Sequence, residues 1–209
     1  MLETGIQNFI AFLLAGVLLN FTPGPDTFYI LARSTSEGRA SGVAAAFGIT
    51  AGILVHTALA VAGISVLLQA SPIAFLVLKL IGAAYLVWLG IGLLRQKPSQ
   101  SPEVERSGAG VAASFRQGML TNVLNPKVAI FFLAFVPQFV DGSAADAKVG
   151  VLLLSLTFIT TGTLWNLVLA LAGAHLGRFL RSGPAATWLR RICGAAMLGF
   201  GVKLAFSRS

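Results

Sequence analysis

The chain has 209 residues, of which 56% are hydrophobic and 11% charged, and its 15 Lys and Arg against 7 Asp and Glu give a formal net charge of +8. So much apolar surface exceeds what one soluble core of this length can hide, which excludes an ordinary soluble domain and implies an all-α integral membrane protein set in a lipid bilayer. The basic residues fall in short stretches between apolar runs rather than on one amphipathic face, so the charge excess points to orientation in a membrane and not to nucleic acid.

Six apolar runs are long enough to cross about 30 Å of hydrocarbon at about 1.5 Å per residue. They predict transmembrane helices over 5–31, 42–68, 73–94, 117–140, 149–175 and 186–206. Glu3 but no Lys or Arg precedes the first run, so it lacks the positive region of a cleaved signal peptide and is expected to remain in the mature protein. That run contains Asn20-Phe21-Thr22-Pro23-Gly24-Pro25-Asp26 and is expected to be broken there. The second contains Gly48 and Gly52, a spacing that permits close helix contact, followed by His56. Lys79 opens the third, where its stem can snorkel, with Tyr85 and Trp88 as packing or interfacial residues.

Residues 96–115 are rich in Ser, Pro, Gly and charge and read as an exposed cytoplasmic linker between two three-helix halves, 1–95 and 116–209. The fourth run carries Asn122-Val123-Leu124-Asn125-Pro126-Lys127, a second Asn/Pro break whose charge is opposite to the first. Asn166, beside Trp165 in the fifth run, either lines a pathway or bonds between helices. His175 reads as interfacial, and Cys193 in the last run as a packing residue. A lone cysteine excludes an intrachain disulfide and a cysteine-based metal site.

Internal similarity supports the division. Lys79-Leu80-Ile81-Gly82-Ala83-Ala84-Tyr85-Leu86 matches Arg191-Ile192-Cys193-Gly194-Ala195-Ala196-Met197-Leu198 at most positions, and Pro23 and Pro126 stand at similar offsets in the two halves. An odd number of spans per half would invert the second, giving two inverted three-helix repeats with broken first and fourth helices. Basic residues concentrate after spans one, three and five, so the positive-inside rule puts that side in the cytoplasm and both termini outside.

Proline at 23, 25 and 126 frees backbone carbonyls able to hold a cation or an ammonium. The helical turn restarting after each break offers unpaired N–H groups to a carboxylate. The two ends of a zwitterion can thus both be met at a substrate site comprising Asn20, Thr22, Pro23, Gly24, Pro25, Asp26, Asn122, Asn125, Pro126 and Lys127. Asp26 is a titratable proton site and Lys127 a positive partner. The bland alternative is that the two charges pair with each other or snorkel to opposite interfaces. His56 either relays a proton, or binds a carboxylate when charged, or sits neutral between helices, and with Asp26 it is the candidate for proton coupling. No phosphate-cradling loop, nucleophile elbow or metal-ligand spacing is present, so no cofactor, no metal and no ATP-driven step is expected, and energy must come from a gradient or another subunit.

With Ala32-Arg33, Gly38-Arg39, Gly82-Ala83-Ala84-Tyr85-Leu86 and the run Phe132-Leu133-Ala134-Phe135-Val136-Pro137-Gln138-Phe139, the two breaks resemble the LysE/RhtB family of amino-acid exporters over essentially the whole chain. The resemblance implies a six-span protein of the bacterial inner membrane that moves amino acids or related metabolites outward in exchange for protons. One acid and one base in the pathway lean toward a neutral zwitterion over a basic amino acid. A cation carrier using Asp26, Asn20 and Thr22 as oxygen ligands, and a membrane enzyme acting on lipid head groups through Asp26 and His56, are the rival readings. Small-residue faces are compatible with a homodimer and equally with packing inside one chain.

Overall fold

The computed structural model describes residues 3–69, 72–95, 110–181 and 184–206. Eight α-helices account for nearly all of them: α1 (Phe9–Phe21), α2 (Pro25–Ser36), α3 (Arg39–Gln69), α4 (Pro72–Arg95), α5 (Gly110–Val123), α6 (Pro126–Ile130), α7 (Ala147–Arg181) and α8 (Pro184–Phe206). α6 continues as a π-helical turn over Phe131–Phe135 and a 3-10 turn over Val136–Phe139. Pro137 has no N–H to return to the preceding turn, which accounts for the departure from α geometry.

Both Asn/Pro clusters interrupt helices. α1 and α2 meet at 47°, and α5 meets the segment from Pro126 at 50°. Each second half starts on a proline, which fixes φ for a first helical position where no N–H partner is required. Among the described residues, α3 and α7 each contain a stretch long and apolar enough to cross a membrane, and each bent pair meets the same test if taken as one span. Most of the linker 96–115 falls outside the described residues, as do the side chains of Lys79 and His175.

Polarity is inverted relative to a soluble fold. Ile10, Leu124, Trp88 and Trp188 are exposed, while Asp26, Arg33, His56, Asn122, Asn125 and Lys127 are buried. Such an apolar exterior is at home in lipid, and a buried polar interior needs internal partners. α3 packs along α5 and α7, α2 lies between α3 and α7, and α4 pairs with α8. The two Gly-Ala motifs serve this last pair: a β-carbon at Gly90 would stand 2.7 Å from the Gly194 carbonyl oxygen, and one at Gly201 2.9 Å from that of Ala83.

The α3–α5 seam is tighter still. A β-carbon at Gly48 would collide with the Phe115 carbonyl, and one at Gly52 would stand 2.7 Å from the Asn122 β-carbon. This close approach holds α5, and with it the second break, against α3. Gly92 on α4 faces open space. Gly48→Ala should therefore destabilise the protein by about 1–3 kcal/mol through overpacking, whereas Gly92→Ala should be neutral or stabilising by up to about 1 kcal/mol through helix propensity. Paired thermal melts in detergent test this; equal shifts would contradict the packing account.

Candidate functional site

The breaks free specific carbonyls. In a continuous helix the Leu19 carbonyl would accept from the N–H of residue 23 and the Asn122 carbonyl from that of residue 126, and both positions are proline. A side chain from the other half of the chain takes each of them. Lys127 donates its ammonium to the carbonyls of Leu19 (3.3 Å) and Thr22 (3.0 Å). His56 Nε2 lies 3.1 Å from the Asn122 carbonyl oxygen, which also accepts the Asn125 N–H at 2.9 Å. The Thr22 hydroxyl is turned back to the Leu18 carbonyl at 2.7 Å, so it is the Thr22 main chain that meets the ammonium.

The carboxylate is held in the reverse sense. Asp26 Oδ2 accepts from the side-chain amides of Asn122 (2.9 Å) and Asn125 (3.0 Å). Asn125 has a second task, since its Oδ1 accepts the Lys127 N–H at 3.0 Å and caps α6. Asp26 lies in the first turn of α2, where the positive end of the helix dipole favours it, and the Lys127 ammonium sits at the negative end of α1. Asp26 and Lys127 make no direct ion pair, so the reading in which the two charges merely pair is not what the structure adopts.

Asp26 Oδ1 and Asn122 Oδ1 are buried acceptors without a protein donor. Such a group costs about 1–3 kcal/mol if left unsatisfied, so this spot calls for a hydrogen-bond donor. Both residues line a small cavity together with Asn20, Lys127, Asn166 and apolar walls from Ile49, Ile53, Val128 and Phe158. The cavity offers about 20 Å³ to the centre of a water molecule, enough for water and too little for an amino acid without rearrangement.

Of the residues singled out from the sequence, Asn20, Asp26, Asn122 and Lys127 meet at this cavity, and Asn166, left open between pathway and packing, joins them. Asn20 is anchored by a bond to the Thr161 hydroxyl at 3.2 Å. Pro25 and Pro126 are exposed: they shape the breaks and do not line the space. Gly24 lies against the lysine, for a β-carbon there would stand 3.3 Å from Lys127 Nζ. His56 is one residue removed, touching Asn122 and stacking on Phe132 with ring centres 6.1 Å apart.

A second polar cluster escaped the sequence reading. The expected span 5–31 leaves Arg33 among the basic residues that follow it, but α2 runs on to Ser36 and buries it. It pairs with Glu37 and bonds to Gln117 and to the Tyr29 hydroxyl, the last at 3.1 Å. The signal was present as Tyr29, Arg33 and Glu37 at helical spacing, with opposite charges four apart.

A family model described as LysE type translocator matches residues 17–208. The chain is 36% identical over 207 residues to an uncharacterised membrane protein of Pseudomonas aeruginosa, covering 96% of each. It is 30% identical over 212 residues to a leucine efflux protein of Klebsiella pneumoniae, covering 99% of each, and 28% identical over 205 residues to a leucine efflux protein of an Enterobacter strain, covering 97% of each. No solved structure matches at a significant level.

The double duty of Asn125 separates it from Asn122. Asn125→Ala removes a cap contributing about 0.5–2 kcal/mol and a hydrogen bond to a charge contributing about 1.5–3 kcal/mol, whereas Asn122→Ala removes only the latter kind. Asn125→Ala should give the lower melting temperature in detergent. Equal losses would mean that the cap contributes nothing.

Proposed function

The chain belongs to the LysE type translocator family, a multi-pass membrane transporter and not an enzyme, and from that premise we propose that it exports a neutral amino acid with an apolar side chain across the bacterial inner membrane, by proton antiport and alternating access. One observation carries this reading. The two breaks together hold an ammonium, that of Lys127, on the Leu19 and Thr22 carbonyls, and a carboxylate, that of Asp26, on the Asn122 and Asn125 amides. The protein's own side chains thus occupy a set of donors and acceptors that suits a zwitterion.

An entering amino acid exchanges with this internal pair. Its ammonium takes the carbonyls at the first break and the free oxygen of Asp26, and its carboxylate takes the asparagine amides and Lys127. The apolar walls of Ile49, Ile53, Val128 and Phe158 receive its side chain, a lining that suits leucine-like substrates better than basic ones. The names of the leucine efflux relatives agree with this chemistry.

Coupling follows from charge. A proton arriving on Asp26 removes the anion that holds the substrate ammonium and weakens binding, and His56, set on the Asn122 main-chain carbonyl while the Asn122 side-chain amide holds Asp26, is a second group whose charge a proton can change. Such differential affinity is what a gradient needs in order to do transport work. The architecture we propose is six spans in two inverted repeats with both termini outside. Its support is that α3 pairs with α7 and α4 with α8, and that α7 packs on the first break as α3 does on the second.

Counterflow in proteoliposomes loaded in turn with labelled neutral, basic and acidic amino acids tests the reading. Neutral apolar amino acids should move, faster under an imposed pH gradient, and Lys127→Ala should abolish movement. Asp26→Asn should remove the gradient stimulation more than it changes folding. Export by Asp26→Asn that remains fully proton-dependent at normal expression would defeat the coupling role.

A further inference from the structure

The site lies between two unlike barriers, and the polar one is unassigned. From the break at Asp26, α2 runs about 16 Å to Glu37, at about 1.5 Å per residue. Along it Tyr29, Arg33 and Glu37 follow Asp26 on one face, against the α5 face that carries Asn122, Gln117 and Ser114. The Tyr29 hydroxyl donates to the Ser114 carbonyl at 3.1 Å and accepts from Arg33 Nε, and Arg33 bridges Glu37 to Gln117. Ser114 Oγ lies 3.5 Å from the Glu37 carboxylate. The guanidinium also stands over the Tyr29 ring, 5.3 Å from its centre. On the other side of the site, Phe131 packs against Phe12, Phe132 and Phe158, an apolar plug.

We infer that the Arg33–Glu37–Gln117 network with Tyr29 is the gate that closes the site toward the membrane face bearing Gly38 and Gly110. It rests on the transporter reading only in assuming that the site opens to that face. Burial suits it to opening: the pair is nearly excluded from solvent, with side-chain exposures of 4% and 9%. A buried ion pair forfeits hydration when it closes and recovers it when water enters, so separation into a wet vestibule is far less costly than separation in an apolar interior. Both helices also meet a glycine of left-handed backbone where the gate ends. Gly38, just past the Glu37 cap of α2, has φ +94, and Gly110, at the start of α5, has φ +75. A β-carbon at either would meet open space, so the backbone angle and not packing calls for glycine.

The test uses Ile53→Cys, on the cavity wall, in a Cys193→Ala background, labelled with a charged, membrane-impermeant methanethiosulfonate applied to right-side-out or inside-out vesicles without substrate or gradient. Glu37→Gln, and independently Gln117→Leu, should label several-fold faster from the Gly38 face and no faster from the opposite face. No acceleration in either variant, or equal acceleration from both faces, would overturn the gate. Because labelling needs no transport, a gate that responds in a protein that moves no amino acid would sink only the substrate reading. Amino-acid counterflow with labelling indifferent to both substitutions would sink only the gate.

Discussion

A lysine ammonium buried among helices, with no carboxylate in direct contact, is the constraint on which the rest of the structure turns. Removing an ammonium from water costs several kcal/mol even after relaxation, and Lys127 is 8% exposed. What offsets that cost is backbone: two carbonyls, and the negative end of α1 behind them. Those carbonyls are available because Pro23 cannot donate to Leu19 and because the chain turns away after Thr22. The break is thus the lysine's solvent, and any straight helix through residues 19–26 would strand the charge.

The dependence is mutual. Asp26 would be equally stranded without the amides of Asn122 and Asn125, which belong to the other break, and the Asn122 carbonyl freed by Pro126 is met by His56 from the first half. Neither break is satisfied within its own half, so the halves must fold against each other. The glycine seam of α3 on α5 sets the distance at which these bonds form, since larger residues at 48 or 52 would push the second break away from Asp26. On the transport reading proposed above, an arrangement satisfied by its own charges is also one that a substrate of matching charges competes for.

Much of this was legible in the residues. Proline, asparagine and one charge in each of two apolar runs are costly enough in a bilayer to announce a break, and the runs themselves gave helices starting or ending within a few residues of those observed, apart from wider differences at the starts of α1 and α5 and the ends of α2 and α7. What could not be read was which side chain would answer which carbonyl. Freed carbonyls near Thr22 call for a cation or an ammonium, and in the structure the cation is Lys127, a contact between residues more than a hundred positions apart. Arg33 falls outside the expected span because that span stops short of the first basic residue. Glu37 one turn on, with Gln117 opposite, satisfies the guanidinium and lets α2 continue. The π-helical turn after Ile130 likewise answers to Pro137 and to packing, neither of which periodicity in an all-apolar helix reveals.

The central claim is that a zwitterionic substrate displaces the Lys127 ammonium from the Leu19 and Thr22 carbonyls. Nitrogen-15 NMR of lysine-labelled protein in lipid follows that ammonium directly, with the Lys127 signal assigned by its loss in Lys127→Arg. Saturation with a transported amino acid should shift this resonance while the other lysines stay in place. A Lys127 signal that does not move under saturating, transported substrate would mean that the lysine keeps its carbonyls throughout the cycle, and that the breaks bind substrate in some other way or not at all.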